Sequence, residues 1–206
     1  MDPVDPQYDA SSILVLDELS AIRKRPAMLV GPLDEPSLPV RLLLQALCPA
    51  VDAALAGACR YIEVSVKGAT AMVSFDAGLP LSAGPDGKVF AKVLLTVSCA
   101  CRNLKKHFEV GDELCDLGLT RLTALTEQLR VETRWQGKAA TYVFARGQEI
   151  GSPAIVDTAE GDRTVMTFGL DPSILGENVA FDARRLGESL AKVRARVPGT
   201  EVVLLG

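Results

Sequence analysis

The strongest constraint on the fold is the stretch LPVRLLLQALCPAVDAALAG, residues 38–57. Leu43, Leu47, Ala50 and Ala54 recur at helical spacing and make one apolar face. Gly57 stops the helix, and an alternating strand pattern, RYIEVSVKG, follows at once. Two residues break the helical pattern. Pro49 has no N–H to give the carbonyl of Gln45 and crowds that carbonyl, at roughly 3 kcal/mol relative to a good helix former. Asp52 follows one turn later among apolar residues. The proline therefore calls for a kink or a local function.

Around this helix the chain divides into an arm, residues 1–12, with Asp-Pro turns and no periodicity, and a single domain, residues 13–206. Residues 17–24 read as a short helix ended by Arg25-Pro26, and residues 28–31 as a short strand or extended link. The basic cluster Arg23, Lys24 and Arg25 reads as a solvated helix end, with a phosphate or partner site as the alternative. Residues 61–67 and 71–75 are expected strands, residues 89–101 a helical or buried apolar segment, and residues 117–129 an expected helix. Strands at 130–135 and 139–145, joined at Gly137-Lys138, are followed by two more at 155–158 and 164–168. A helix at 182–193 and a strand at 201–204 complete the pattern. The implied fold is α+β, a two-layer sandwich with helices on one face of a mostly antiparallel sheet.

Composition narrows the function classes. At 206 residues and 48% hydrophobic, the chain can bury one sizeable core. A net charge of -4 argues against a general grip on nucleic acid, and 5% aromatic residues against a platform for stacking bases. No apolar run is read as a membrane span, and the acidic N-terminus is not a signal peptide. Five cysteines, an odd count, point to reduced thiols and a cytoplasmic setting. Cys99, Cys101, His107 and Cys115 cluster in sequence, but Cys-x-Cys departs from the spacing of structural zinc sites, so no metal is expected. Neither a Gly-x-Ser-x-Gly elbow nor a Walker A loop is present. Asp76, in a turn after a strand, reads from the residues themselves as a turn cap.

Three motifs carry a resemblance. Residues 7–13, QYDASSI, residues 21–31, AIRKRPAMLVG, and residues 51–57, VDAALAG, occur in the order expected of one family. They resemble the arm, the Arg-Lys-Arg-Pro-Gly-Met-Tyr-Ile-Gly signature and the first nucleotide-binding helix of the ATP-binding domain of DNA gyrase B and topoisomerase IV. That domain has the GHKL, or Bergerat, fold, shared with histidine kinases and MutL-type proteins. The resemblance implies a role for several positions. The general-base glutamate falls on Gln45, whose amide cannot take a proton from water. The magnesium-holding asparagine falls on Pro49, and the aspartate before it on Cys48. Asp52 matches an aspartate of the same helix, while an acid and its arginine partner fall on Ala53 and Leu79. Asp76, Gly78 and Thr164 match residues that contact adenine. The ATP lid falls on residues 112–118, DELCDLG, where Asp112, Glu113 and Asp116 stand in a region that should cradle phosphates.

The expectation drawn from this pattern is a degenerate, single-domain gyrase-B-like protein, a pseudo-ATPase without ATP hydrolysis and without a cofactor. It would act by protein–protein contact, through dimerisation or a gyrase-like subunit. Tyr8 and Ile13 match arm residues that reach a partner, and Arg23, Lys24 and Arg25 are further contact candidates. The alternatives are a sensor of adenine nucleotide or a small molecule, and an accessory protein of DNA topology or transcription.

Overall fold

The computed structural model describes residues 16–98, 100, 107–109 and 111–205. Tyr8 and Ile13 lie outside the described residues, as do the arm at 1–12, Cys99 and Cys101.

The chain opens with helix α1, Glu18–Lys24, whose N-cap Asp17 accepts a hydrogen bond from the Ser20 N–H at 2.9 Å. Residues 28–31 were expected to be a short strand or extended link, but residues 28–30 belong to a single helical turn, α2, Ala27–Val30, which Gly31 ends. Pro26 precedes that turn with helical dihedrals, and its carbonyl accepts from both the Leu29 and Val30 N–H groups. Helix α3, Leu38–Leu55, follows. As its apolar composition implies, it is a buried helix, and every residue from Leu42 to Val51 is buried, Pro49 included. A helix apolar all round belongs inside a fold. By length and composition α3 could also cross a membrane, a span the sequence reading did not anticipate, yet it is mostly buried within the fold.

Strands β1, Tyr61–Lys67, and β2, Thr70–Phe75, form an antiparallel hairpin. Helices α4, Phe90–Thr96, and α5, Leu119–Leu125, precede the long strand β3, Thr126–Trp135. The expected helix over 117–129 therefore ends four residues early. Leu129, Val131 and Thr133 alternate inward from there, in register with β7. Strand β4, Lys138–Ala145, pairs with β3 through a turn at Gln136 and Gly137, with φ of 47° and 74°. Two positive φ values in succession mark the hairpin turn that matches strand twist, placed one residue earlier than expected. Short strands β5, Gln148–Glu149, and β6, Val156–Asp157, edge the sheet. Strand β7, Arg163–Leu170, helix α6, Pro172–Leu175, helix α7, Ala183–Arg196, and strand β8, Glu201–Leu205, complete the order.

The eight strands run β5-β4-β3-β7-β2-β1-β8, with β6 on β4. Every pairing is antiparallel except β1 with β8. Ile62, Val64, Val73, Phe75, Val131, Phe144, Met166 and Phe168 are buried on one face, while Glu132, Arg130 and Thr167 on the other face water. The helices cover the buried face, with α3 against β2, α5 and α7. This is the α+β two-layer sandwich expected from the sequence.

Candidate functional site

The positions singled out from the sequence fall into two groups, one at the end of β2 and one on α3. After Phe75 the chain leaves the sheet through residues 76–80. Asp76 Oδ1 accepts from the backbone N–H groups of Arg60, at 2.9 Å, and Tyr61, at 3.0 Å. Burial pushes this carboxyl up, but hydrogen bonds from the Tyr61 N–H, the Cys59 thiol and the Arg60 N–H hold it below the usual carboxylate range. Burial, joined by the Asp76 charge, pushes the Cys59 thiol up to about 12.

Thr164 is fully buried and lies across β2 on the opposite edge, paired with Phe75. Its hydroxyl donates to the Ala77 carbonyl at 2.8 Å and lies 2.9 Å from Thr133 Oγ1, which accepts from the Leu79 N–H at 2.8 Å. With one proton per hydroxyl, the chain has one direction: Leu79 N–H to Thr133, Thr133 to Thr164, Thr164 to Ala77. Gly78 packs hard on β3. A Cβ there would stand 2.1 Å from the Arg134 carbonyl oxygen and 2.7 Å from Trp135 Cβ. The structure thus brings Thr164 and Gly78 to the same loop but turns Asp76 away, towards β1. The strand order makes this necessary, because β2 separates β1 from β7.

On α3, Gln45 is fully buried. Its Nε2 donates to the Arg41 and Glu113 carbonyls, both at 2.8 Å, with Asp116 Oδ1 3.1 Å away. Its Oε1 accepts from the Gly118 N–H at 2.8 Å. The side chain is therefore a pin between α3 and residues 113–118. Pro49, one turn on, is equally buried and offers no side-chain oxygen. The residues at 45 and 49 thus do not fit a magnesium ion in the way the resemblance implies.

The acids of residues 112–118 each meet a basic side chain. Asp112 pairs with Arg196 at 2.5 Å, Asp116 with Arg41 at 2.8 Å and Glu113 with Lys192 at 3.6 Å. Two backbone N–H groups of the segment are also taken by its own carboxylates: Leu114 donates to Asp112 Oδ1 and Leu117 to Asp116 Oδ1. His107 Nδ1 lies 3.0 Å from Asp52 Oδ1. None of these partners adjoins the segment in sequence, so no local signal announced them.

The basic cluster separates. Arg23 turns inward, donating to the Ala124 carbonyl at 2.7 Å and to Asp171 Oδ2 at 2.6 Å. It ties α1 to the end of α5 and the start of α6, and is not a solvated end. Lys24 and Arg25 are exposed. Among the described residues no group of three or more His, Cys, Asp or Glu side chains forms a metal cluster.

No family model matches the chain. It is 28% identical over 200 residues to the B subunit of DNA gyrase from Thermotoga maritima, covering 95% of this chain and 31% of that one. It is 31% identical over 185 residues to the B subunit of DNA topoisomerase 4 from Caulobacter vibrioides, covering 87% of this chain and 26% of that one. The chain thus spans about a third or less of the curated relatives it matches. The crystal structure of the 43K ATPase domain of Thermus thermophilus gyrase B, in complex with an aminocoumarin, superposes with a TM-score of 0.74 at 28% identity. The match covers 92% of this chain and 48% of that domain. These matches overturn the expectation that this is no enzyme. Its relatives are ATPase-domain proteins along nearly the whole of its length, and nothing in them or in the fold shows activity to be lost. That expectation rested on the residues at 45, 49 and 112–118, and side-chain identity at these positions does not measure a rate. The chain is homologous to the N-terminal ATPase domain of DNA gyrase B and of the corresponding topoisomerase IV protein.

Proposed function

We propose that this gyrase-B-like domain works in the cytoplasm by protein–protein association, with a second copy of itself or with a gyrase-like subunit. One observation carries the reading. In the single turn α2, Met28 is 74% exposed and Leu29 39% exposed, beside the exposed cations Lys24 and Arg25. Two adjacent large apolar side chains facing water beside charge are the composition of a contact patch. Sedimentation velocity of the purified chain, by itself and with a purified gyrase-type subunit, tests it. A complex is expected, weakened at least about tenfold by Met28→Asp or Leu29→Asp. A chain that stays monomeric and leaves the sedimentation of the added protein unchanged refutes it.

A second reading, binding of an adenine nucleotide, is favoured by homology to ATPase domains over most of the chain. Calorimetry with adenosine, ADP and ATP decides it, and absence of heat with all three ends it.

A further inference from the structure

Residues 33–36, just before α3, and residues 175–182, from the end of α6 to the start of α7, leave a groove of about 510 Å³ between them. Its floor is apolar: Leu33, Leu175 and Val179 are half-buried against the core, and Phe181 is buried. Its rim is acidic. Asp34, Glu35 and Glu177 are exposed, and among the described residues none of them has an ion pair or a side-chain hydrogen bond. The floor suits an apolar side chain, and unpaired carboxylates favour a cation beside it and reject an anion. The corner between α1 and α2 offers both. Met28 and Leu29 face water there, next to Lys24 and Arg25, which are exposed and make no ion pair among the described residues. Other exposed cations, such as Arg130, Arg146 and Arg184, are already held by Glu132, Glu127 and Glu188.

We infer that two copies of this chain dock reciprocally, the corner at residues 24–29 of each copy seated in the acidic groove of the other. The inference rests on the association proposed above and assigns its partner and both of its faces. Within one copy the two halves do not meet, since Met28 is 74% exposed and no ion pair joins Lys24 or Arg25 to the rim. They are nonetheless close. Met28 and Glu35 are seven residues apart, so no more than about 25 Å of extended chain separates them. A standard interface covers about 800 Å² on each partner, roughly 30 Å across. Corner and groove therefore fit in one patch. A two-fold axis needs just this, the same self-complementary surface on both copies with each contact made twice. Met28 and Leu29 then form the dry centre of each contact and the opposed charges its rim.

Sedimentation equilibrium of the whole chain tests it with two charge-reversed double variants. Lys24→Glu with Arg25→Glu makes the corner acidic, and Glu35→Lys with Glu177→Lys makes the groove basic. All four positions are exposed, where substitution costs little stability. Each variant by itself is expected to self-associate at least about tenfold more weakly than the parent, because like charges then meet in both contacts. Mixing the two variants restores the parent's affinity, since one contact pairs reversed with reversed and the other native with native. A variant as tight as the parent, or a mixture that stays apart, overturns the inference. The unmodified chain gives a second measure that no folding defect can blur. Raising NaCl from about 0.05 M to about 0.5 M weakens its self-association at least about tenfold, and association indifferent to salt overturns the inference. The outcomes also separate this docking from the broader proposal. A dimer indifferent to the reversals, or a monomer that still binds a gyrase-type subunit, ends the inference and leaves that proposal standing. A chain that does neither ends both.

Discussion

Replacing Arg23 by alanine tests the inward reading of the basic cluster most sharply. Asp171 is fully buried and Arg23 19% exposed, so removing the guanidinium strands a carboxylate that water cannot reach freely. Breaking a buried pair in this way costs about 3–5 kcal/mol. Two features place this pair at the lower end. Asp171 keeps the Ser173 N–H at 3.0 Å and the Ser173 hydroxyl at 2.6 Å, and the exposed edge of Arg23 is already screened. The Ala124 carbonyl also loses its donor. The expected loss is about 3 kcal/mol at pH 7, which in urea, at about 2 kcal/mol/M, moves the midpoint down by about 1.5 M.

The pH dependence has a definite sign. Burial pushes the Asp171 carboxyl up, but hydrogen bonds from Ser173 and Arg23 outweigh it and hold the folded value below that of the unfolded chain. Its contribution is therefore complete above the unfolded value, about 4, and is lost as pH falls through the depressed folded value. Arg23→Ala removes part of that depression, so the gap between the two proteins narrows as pH falls below about 4. Urea titrations at neutral and acidic pH measure it. A loss under about 0.5 kcal/mol at pH 7, or a gap that stays constant into acid, would refute a buried, charge-dependent tie.

The loop after β2 supplies further tests. Gly78→Ala forces a Cβ to within 2.1 Å of a backbone carbonyl that cannot step aside, and a loss of about 3 kcal/mol is expected in the same titration. Thr164→Val keeps the shape but leaves the Ala77 carbonyl without its donor and the Thr133 hydroxyl without its acceptor, for about 2–4 kcal/mol. Thr164→Ser, which retains the relay, should cost less than half as much. With its thiol pushed up to about 12, Cys59 should hold a thiolate fraction of only ~10⁻⁴ at pH 8. Iodoacetamide followed by mass spectrometry should label it only after unfolding, and rapid native labelling at pH 8 would contradict the burial argument.

Much of the fold was legible because its elements carry one unambiguous period. Ile62, Val64 and Val66 alternate, as do Val131, Thr133 and Trp135, and the sequence has no competing reading for either run. The helix read over residues 117–129 was drawn too far because Leu122, Leu125 and Leu129 fit a helix, while Leu129 and Val131 also fit a strand. Only pairing with β7, through Leu129 and Phe168, decides between them. At the site, Asp76 is instructive. Its residue-based reading as a cap agrees with the bonds it accepts from Arg60 and Tyr61. The pairing of the acids at 112, 113 and 116 was not legible at all. Their partners Arg196, Lys192 and Arg41 lie far away along the chain, on helices α7 and α3, and neither composition nor spacing reveals a long-range pair.

Position 45 shows how chemistry, beyond polarity, selects the residue. A glutamine can give two N–H bonds and accept one, and here it does so towards Arg41, Glu113 and Gly118. An ionised glutamate has no N–H. Gln45→Glu would therefore leave the Arg41 and Glu113 carbonyls facing a carboxylate, with Asp116 Oδ1 about as near as the 3.1 Å it keeps from Nε2. Burial and that neighbour both raise the introduced group's folded pKa above its unfolded value of about 4.3. A raised carboxylate loses stability as pH rises, because the unfolded chain releases the proton first. Once protonated, the group can donate one of the two lost bonds. The substitution should thus cost about 3 kcal/mol at pH 7 and distinctly less near pH 4. Urea midpoints at the two pH values measure this, and the sign is opposite to that expected for Asp171. A Gln45→Glu chain as stable as its parent at pH 7 would mean that the amide is not what holds residues 113–118 to α3.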